Sequence, residues 1–123
     1  MLTEYPNNWK EIAKKIKQRD LFKCVICGSD KRLEVHHTRE KSISENLMTL
    51  CYTCHRGFAN SYSGFKKKIR EFNDVRLNKN STQEEINNVH NKLIEEMNIR
   101  TKRLQELRTK LKAQSHKTLD KFL

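Results

Sequence analysis

Two cysteine pairs of identical spacing, Cys24-x-x-Cys27 and Cys51-x-x-Cys54, carry the clearest chemistry in this sequence. A C-x-x-C turn aims two thiolates at one point. The segment between the pairs returns the second turn to the first, so the four sulfurs are expected to complete a tetrahedral zinc shell. A redox dithiol needs one such pair, not two. Four thiolates leave no open coordination position, so this zinc is a structural staple and not the ion that meets a substrate. Gly28 follows the first knuckle, where the bend favours a positive φ. Between and just beyond the pairs lie His36, His37 and His55, and Asn46 opens the segment that leads to Cys51. Closing the cysteines on one ion draws His55 toward the end of the segment that carries His36.

Short elements must hold these residues. Trp9, Ile12, Ala13 and Ile16 recur at helical spacing among lysines, which predicts a helix over Asn8 to Asp20 capped by Asn7 or Asn8. Leu33-Glu34-Val35-His36 alternates and predicts a strand, Thr38 to Glu45 a polar loop, and Leu47-Met48-Thr49-Leu50 a second strand. A helix is expected to begin near Cys54 and to carry His55 and Phe58. Trp9 and Tyr5 are expected to pack the first helix on the zinc core. Beyond residue 60 cysteine and proline cease, and Lys, Arg, Asn and Glu dominate. Phe65, Ile69, Phe72 and Arg76 predict an amphipathic helix. Ser81-Thr82-Gln83-Glu84 has the form of a capping box opening a long helix. Along it Ile86, His90, Leu93, Met97, Arg100, Leu104, Leu107 and Leu111 follow an alternating four-three spacing, a heptad seam with two polar members.

The chain has 123 residues, 35% of them hydrophobic and 33% charged, with a formal net charge of +11. So little apolar content cannot build a large core, which is why a small domain here needs a metal staple. The basic excess points to a polyanionic partner, nucleic acid first. No stretch of about eighteen apolar residues predicts a membrane span. The first nine residues lack the basic-then-apolar order of a signal peptide. The expected location is therefore the cytoplasm, where thiols stay reduced and serve as metal ligands.

The ordered set Tyr5-Pro6-x-x-Trp9, Arg19-Asp20-x-x-x-Cys24-x-x-Cys27-Gly28, Leu33-x-Val35-His36-His37 and Asn46-Leu47-x-Thr49-Leu50-Cys51-x-x-Cys54-His55 closely resembles the zinc-containing HNH endonuclease family of His-Me finger, or ββα-metal, nucleases. The resemblance covers about residues 5–60. It implies an α+β fold with a ββα-metal core at residues 1–60, stapled by the four-cysteine zinc site; the helical spacings beyond it add a mainly α-helical extension at residues 61–123. It also implies hydrolysis of DNA phosphodiester bonds to leave a 5′ phosphate. By the same resemblance His37 is the general base, Asn46 orients the active loop, and His36 and His55 hold one catalytic divalent ion such as Mg2+, Mn2+ or Ni2+. The loop from Thr38 to Glu45 is short and lacks the glycines common in the family. Residues 56–60 lack a further histidine that some relatives carry, which suggests a shell of two protein ligands completed by water and phosphate. The chemistry agrees, since adjacent strand residues face opposite ways and neutral imidazole is a good base near pH 7.

Arg39, Lys41 and Arg56 flank this site as phosphate contacts, and Lys66, Lys67 and Lys68 are placed to follow a DNA backbone. The seam exceeds what a small core can cover, and the Phe65–Arg76 helix folding back as a hairpin would cover only part of it, so a homodimer through the last helix, or docking on a larger protein, is expected. The resemblance implies a bacterial or phage setting. The competing functions are a zinc-stapled module that binds DNA without cutting it, and an adaptor subunit of a larger nucleic-acid-processing complex.

Overall fold

The first helix forms where apolar residues recur on one face of a lysine-rich segment. The computed structural model describes residues 6–60 and 63–122, with side chains at 6–60 and 64–114. Tyr5, expected to pack beside Trp9, lies outside the described residues. Helix α1 spans Trp9–Arg19. Asn8 stands at its cap position, but its side chain makes no capping bond. The Asn8 carbonyl accepts the Glu11 and Ile12 amides instead. Trp9, Ile12 and Ala13 pack against a core of Ile16, Val35 and Leu47.

Strand β1 (Leu33–His37) pairs antiparallel with β2 (Leu47–Cys51), with Val35 opposite Thr49 and His37 opposite Leu47. β1 thus runs one residue beyond the expected end, to include His37. All five residues of β2 are buried, as its unalternating apolar run suggests. A two-stranded ribbon is marginal by itself, so neighbouring elements must fasten it. Arg19 does so from α1, donating through Nη2 to Leu47 O at 2.7 Å and through Nη1 to Ser44 O at 2.8 Å. The chain then turns through α2 (Tyr52–Cys54) into a single wide turn at His55–Ala59, closed by Asn60 N donating to His55 O at 3.0 Å. Wide turns of this i→i+5 kind recur at functional sites.

Helix α3 covers Ser63–Leu77 and α4 covers Gln83–Phe122. The cap of α4 falls one residue later than the expected box. Thr82 Oγ1 accepts from Glu85 N at 3.1 Å, so Thr82 and Glu85 are the working pair. The helix also continues about ten residues past the expected end near Lys112.

The chain separates into two compact units, residues 1–93 and 94–123. Residues 1–93 include α3 and the start of α4, so the composition shift at residue 61 is not where this unit ends. α3 joins the core through Asn73, which is fully buried and donates to Glu45 O and Leu47 O. Arg76 donates to Asp20 Oδ1 at 3.0 Å and to Asn73 Oδ1 at 2.7 Å. The Asp20 carboxylate also binds Arg19 and accepts Thr49 N at 2.9 Å. Burial alone would raise the Asp20 pKa, but the Arg19 hydrogen bond, the Arg76 charge and the Thr49 amide hold it below its ordinary value. On α4, His90 Nε2 lies 2.6 Å from Ile26 O in the first knuckle, and its ring stacks on Phe72. This corrects its expected place in a seam between chains, since the imidazole is used within the molecule. In residues 94–123, Leu107 and Leu111 are 55% and 62% exposed. No helix among the described residues is long and apolar enough to cross a membrane.

Candidate functional site

The two knuckles meet as their spacing predicts. Gly28, at φ +79°, completes the first turn and its amide donates to Cys24 O. Register pairs Leu33 with Cys51, so the second knuckle leaves directly from the end of β2. The four Sγ atoms all lie within 4.8 Å of one another, with Cys27 and Cys51 at 3.6 Å. A zinc tetrahedron with bonds of about 2.3 Å has edges of about 3.8 Å, so the donor set fits that ion. A hydrogen bond from Cys54 holds the Cys24 thiol down at about 4, and the same bond pushes Cys54 up. Burial pushes Cys27 up to about 11. One thiolate is therefore stabilised by its neighbours' protons, whereas a divalent cation lets all four ionise.

The histidines form a second cluster of different character. His36 and His37 are successive on β1 and face opposite ways. His36 is 4% exposed and its ring meets that of His55 edge-on at 5.0 Å. Its Nε2 is buried and has no hydrogen-bond partner. Burial, followed by the charges of His55, His37 and Lys66, depresses its pKa to about 3, so the ring is neutral at pH 7. His55 Nδ1 lies 2.9 Å from Glu34 Oε1. Burial tends to raise the Glu34 pKa, but hydrogen bonds from His55 and Arg56 bring it below the usual value. An ionised carboxylate only accepts, so Nδ1 carries the proton, and in the neutral ring Nε2 keeps its electron pair. Two imidazoles, one of them neutral at pH 7 with an orphaned buried nitrogen, fit a divalent metal. They open on a cavity of about 480 Å³ lined by Val35, His36, His37, His55, Arg56, Asn60 and Lys66.

His37 lines the same cavity. Its ring stacks on Trp9 with centroids 4.9 Å apart, and Nε2 lies 2.8 Å from Ser42 Oγ. Burial and then the His55 charge lower its pKa below 6.5. Asn46 is buried at the far end of the loop and donates from Nδ2 to Lys41 O at 3.1 Å. Its carbonyl accepts the amide of Thr38, the residue after His37, at 2.7 Å. The loop that holds Ser42 is thus tied at both ends.

The basic residues divide. Arg56 and Lys66 line the cavity. Arg39 instead makes a two-pronged pair with Asp74 on α3, at 2.7 and 2.8 Å. Lys41, Lys67 and Lys68 are exposed and do not line the cavity. Sequence reasoning missed Glu34 and Ser42. Glu34 had a signal, because it lies two residues before His36 and so on the same strand face. Ser42 had none, being one polar residue in a polar loop.

Residues 24–60 match the family model of the HNH endonuclease. The chain is also 40% identical over 60 residues to the Zorya protein ZorE of Escherichia coli strain Crooks. That alignment covers 42% of this chain and 16% of ZorE, so the likeness is confined to a small part of the longer protein. No solved structure matches the chain.

Proposed function

Taking the segment from Cys24 to Asn60 as an HNH domain, we propose that this chain is a metal-dependent endonuclease that hydrolyses DNA phosphodiester bonds. The observation that carries this reading is His36 Nε2, buried and unpartnered beside His55, whose Nδ1 is held by Glu34. A buried polar atom without a partner is costly, and such exceptions concentrate where a ligand completes them.

In this reading His36 and His55 hold one divalent ion such as Mg2+, Mn2+ or Ni2+. When bound, that ion supplies positive charge to a phosphate oxygen and to the leaving oxygen. Glu34 keeps His55 in the tautomer that binds metal. His37 takes the proton of the attacking water, a task suited to an imidazole that is neutral at pH 7. Trp9 and Ser42 fix its ring, and with Ser42 Oγ accepting from Nε2–H the basic pair lies on Nδ1. Asn46 ties the loop so that this arrangement persists. Arg56 and Lys66 meet the flanking phosphate charge. The net charge of +11 supports a polyanionic substrate.

One such site cuts one strand. Leu107 and Leu111, exposed on α4 and continuing the line of the half-buried Leu104, favour a partner, since exposed apolar stripes at heptad spacing normally bury against another helix. We propose a second copy of the chain as that partner, tested by light scattering at micromolar concentration. A monomer there refutes it. The nuclease reading is tested by incubating supercoiled plasmid with purified protein and added divalent metal. The wild type nicks the plasmid and His37→Ala does not. Equal nicking by both, or none by the wild type with any of the three metals, overturns it.

A further inference from the structure

A second hollow adjoins the histidine cavity. It is about 490 Å³ and is lined by Arg32, Leu33, Glu34, Tyr52 and Arg56. Arg56 lines both hollows, so the two lie side by side along its side chain. The Arg32 guanidinium lies 4.1 Å from the centre of the Tyr52 ring, and Arg56 lies 5.2 Å from it. Arg56 already binds Glu34 through Nε and Nη2. Arg32 differs, because its side chain makes no hydrogen bond or ion pair among the described residues. The Tyr52 hydroxyl makes none among them either, and the residue is 39% exposed.

This placement is built rather than incidental. Arg32 adopts φ +51°, a conformation that L residues take rarely and at some cost. Its carbonyl accepts the Tyr52 amide at 2.9 Å. Tyr52 follows the zinc ligand Cys51 directly, so the Arg32–Tyr52 unit is anchored to the stapled knuckle. The result is a fork of donors held on an aromatic face with no acceptor. Glu34 is the one carboxylate in the hollow, and Arg56 and His55 engage both its oxygens.

We propose that Arg32, Tyr52 and Arg56 form a nucleic-acid subsite that takes a phosphodiester flanking the one over the histidines. A phosphodiester is an acceptor-only anion whose oxygens match a guanidinium fork. A hydroxyl beside the fork adds a donor for a phosphate or sugar oxygen. The subsite rests on the nuclease reading, since it takes its strand direction from the histidine cavity.

The test titrates zinc-loaded protein with labelled duplex DNA, without added divalent metal, at salt from about 50 to 200 mM. Wild type, Arg32→Gln and Arg32→Lys are compared, with zinc content and circular dichroism on each. Arg32→Gln is expected to bind about tenfold more weakly at the lowest salt, as befits the loss of a charged hydrogen-bonding group. The slope of log affinity against log salt is expected to fall by about 0.9. Arg32→Lys keeps the slope and loses affinity a few-fold, because a point charge does not replace the fork. Wild-type slope and affinity in Arg32→Gln overturn the subsite, while nicking by the wild type in the same preparation leaves the nuclease reading intact. A wild type that neither binds nor nicks DNA overturns both. Should Arg32→Gln fail to fold, unchanged affinity in Arg32→Lys is the overturning result.

Discussion

The molecule holds two clusters of side chains whose chemistry suits a metal, and they differ in what they leave open. The four thiols lie within 4.8 Å of one another and can saturate an ion. The two imidazoles, with ring centroids 5.0 Å apart, face a cavity of about 480 Å³ and can only begin a shell. The first arrangement suits holding a fold and the second suits meeting a substrate. Sequence spacing separates them as well. Cysteine pairs two residues apart make their own turns, whereas His36 and His55 meet only once the thiols have closed the chain between them.

The largest effect should come from the closed cluster. Structural zinc contributes on the order of 10 kcal/mol in small metal-stapled domains. Cys51→Ser is therefore expected to lose most of the folded population, read by circular dichroism together with zinc content. A variant that melts like the wild type and keeps one zinc per chain would remove the distinction between the clusters.

Next comes chemistry at the open cluster. His37→Ala should lower nicking by about 10²- to 10⁴-fold, the range of a lost general base, with DNA affinity nearly unchanged. The pH profile sharpens the point. Burial and the His55 charge hold the His37 pKa below 6.5, so the base is free above that value and protonated below it. Cleavage should fall as pH drops, with a midpoint below 6.5. A midpoint above 7 would contradict this placement of His37.

A smaller effect should follow from the support beneath both clusters. Asp20→Asn leaves Arg76 in a buried position without its counter-charge and should cost about 3 kcal/mol. A urea midpoint equal to the wild type's would show that the network is dispensable. The smallest effect is expected at Ser42. Ser42→Ala removes one hydrogen bond to His37, worth about 1 kcal/mol, so kcat should fall several-fold with KM little changed. An unchanged kcat would mean that Trp9 stacking alone positions the ring.

What could be read in the sequence was local. The knuckles, Gly28 at positive φ, the two short strands and the sense of each helix all follow from spacing within a few residues. The supports of the site do not. Glu34 and His55 are 21 residues apart, Asp20 and Arg76 are 56 apart, and His90 and Ile26 are 64 apart. No periodicity announces such pairs, because each joins two elements whose packing must already be known. The placement of α3 in the first compact unit escaped notice for the same reason. Its lysines read as a separate basic segment, while Ile69, Phe72 and Asn73 on its buried face are among the most enclosed residues of the chain. Arg39 shows the converse, a surface cation that looked available and is paired with Asp74.

The division of labour between the clusters is tested most directly by the double variant His36→Ala/His55→Ala, measured for zinc content and plasmid nicking in one preparation. The account predicts a folded protein with one zinc per chain, as in the wild type, and no nicking at any concentration of added metal. Loss of that zinc would mean that the histidines serve the staple. Nicking at the wild-type rate would mean that the reaction takes place elsewhere on the chain.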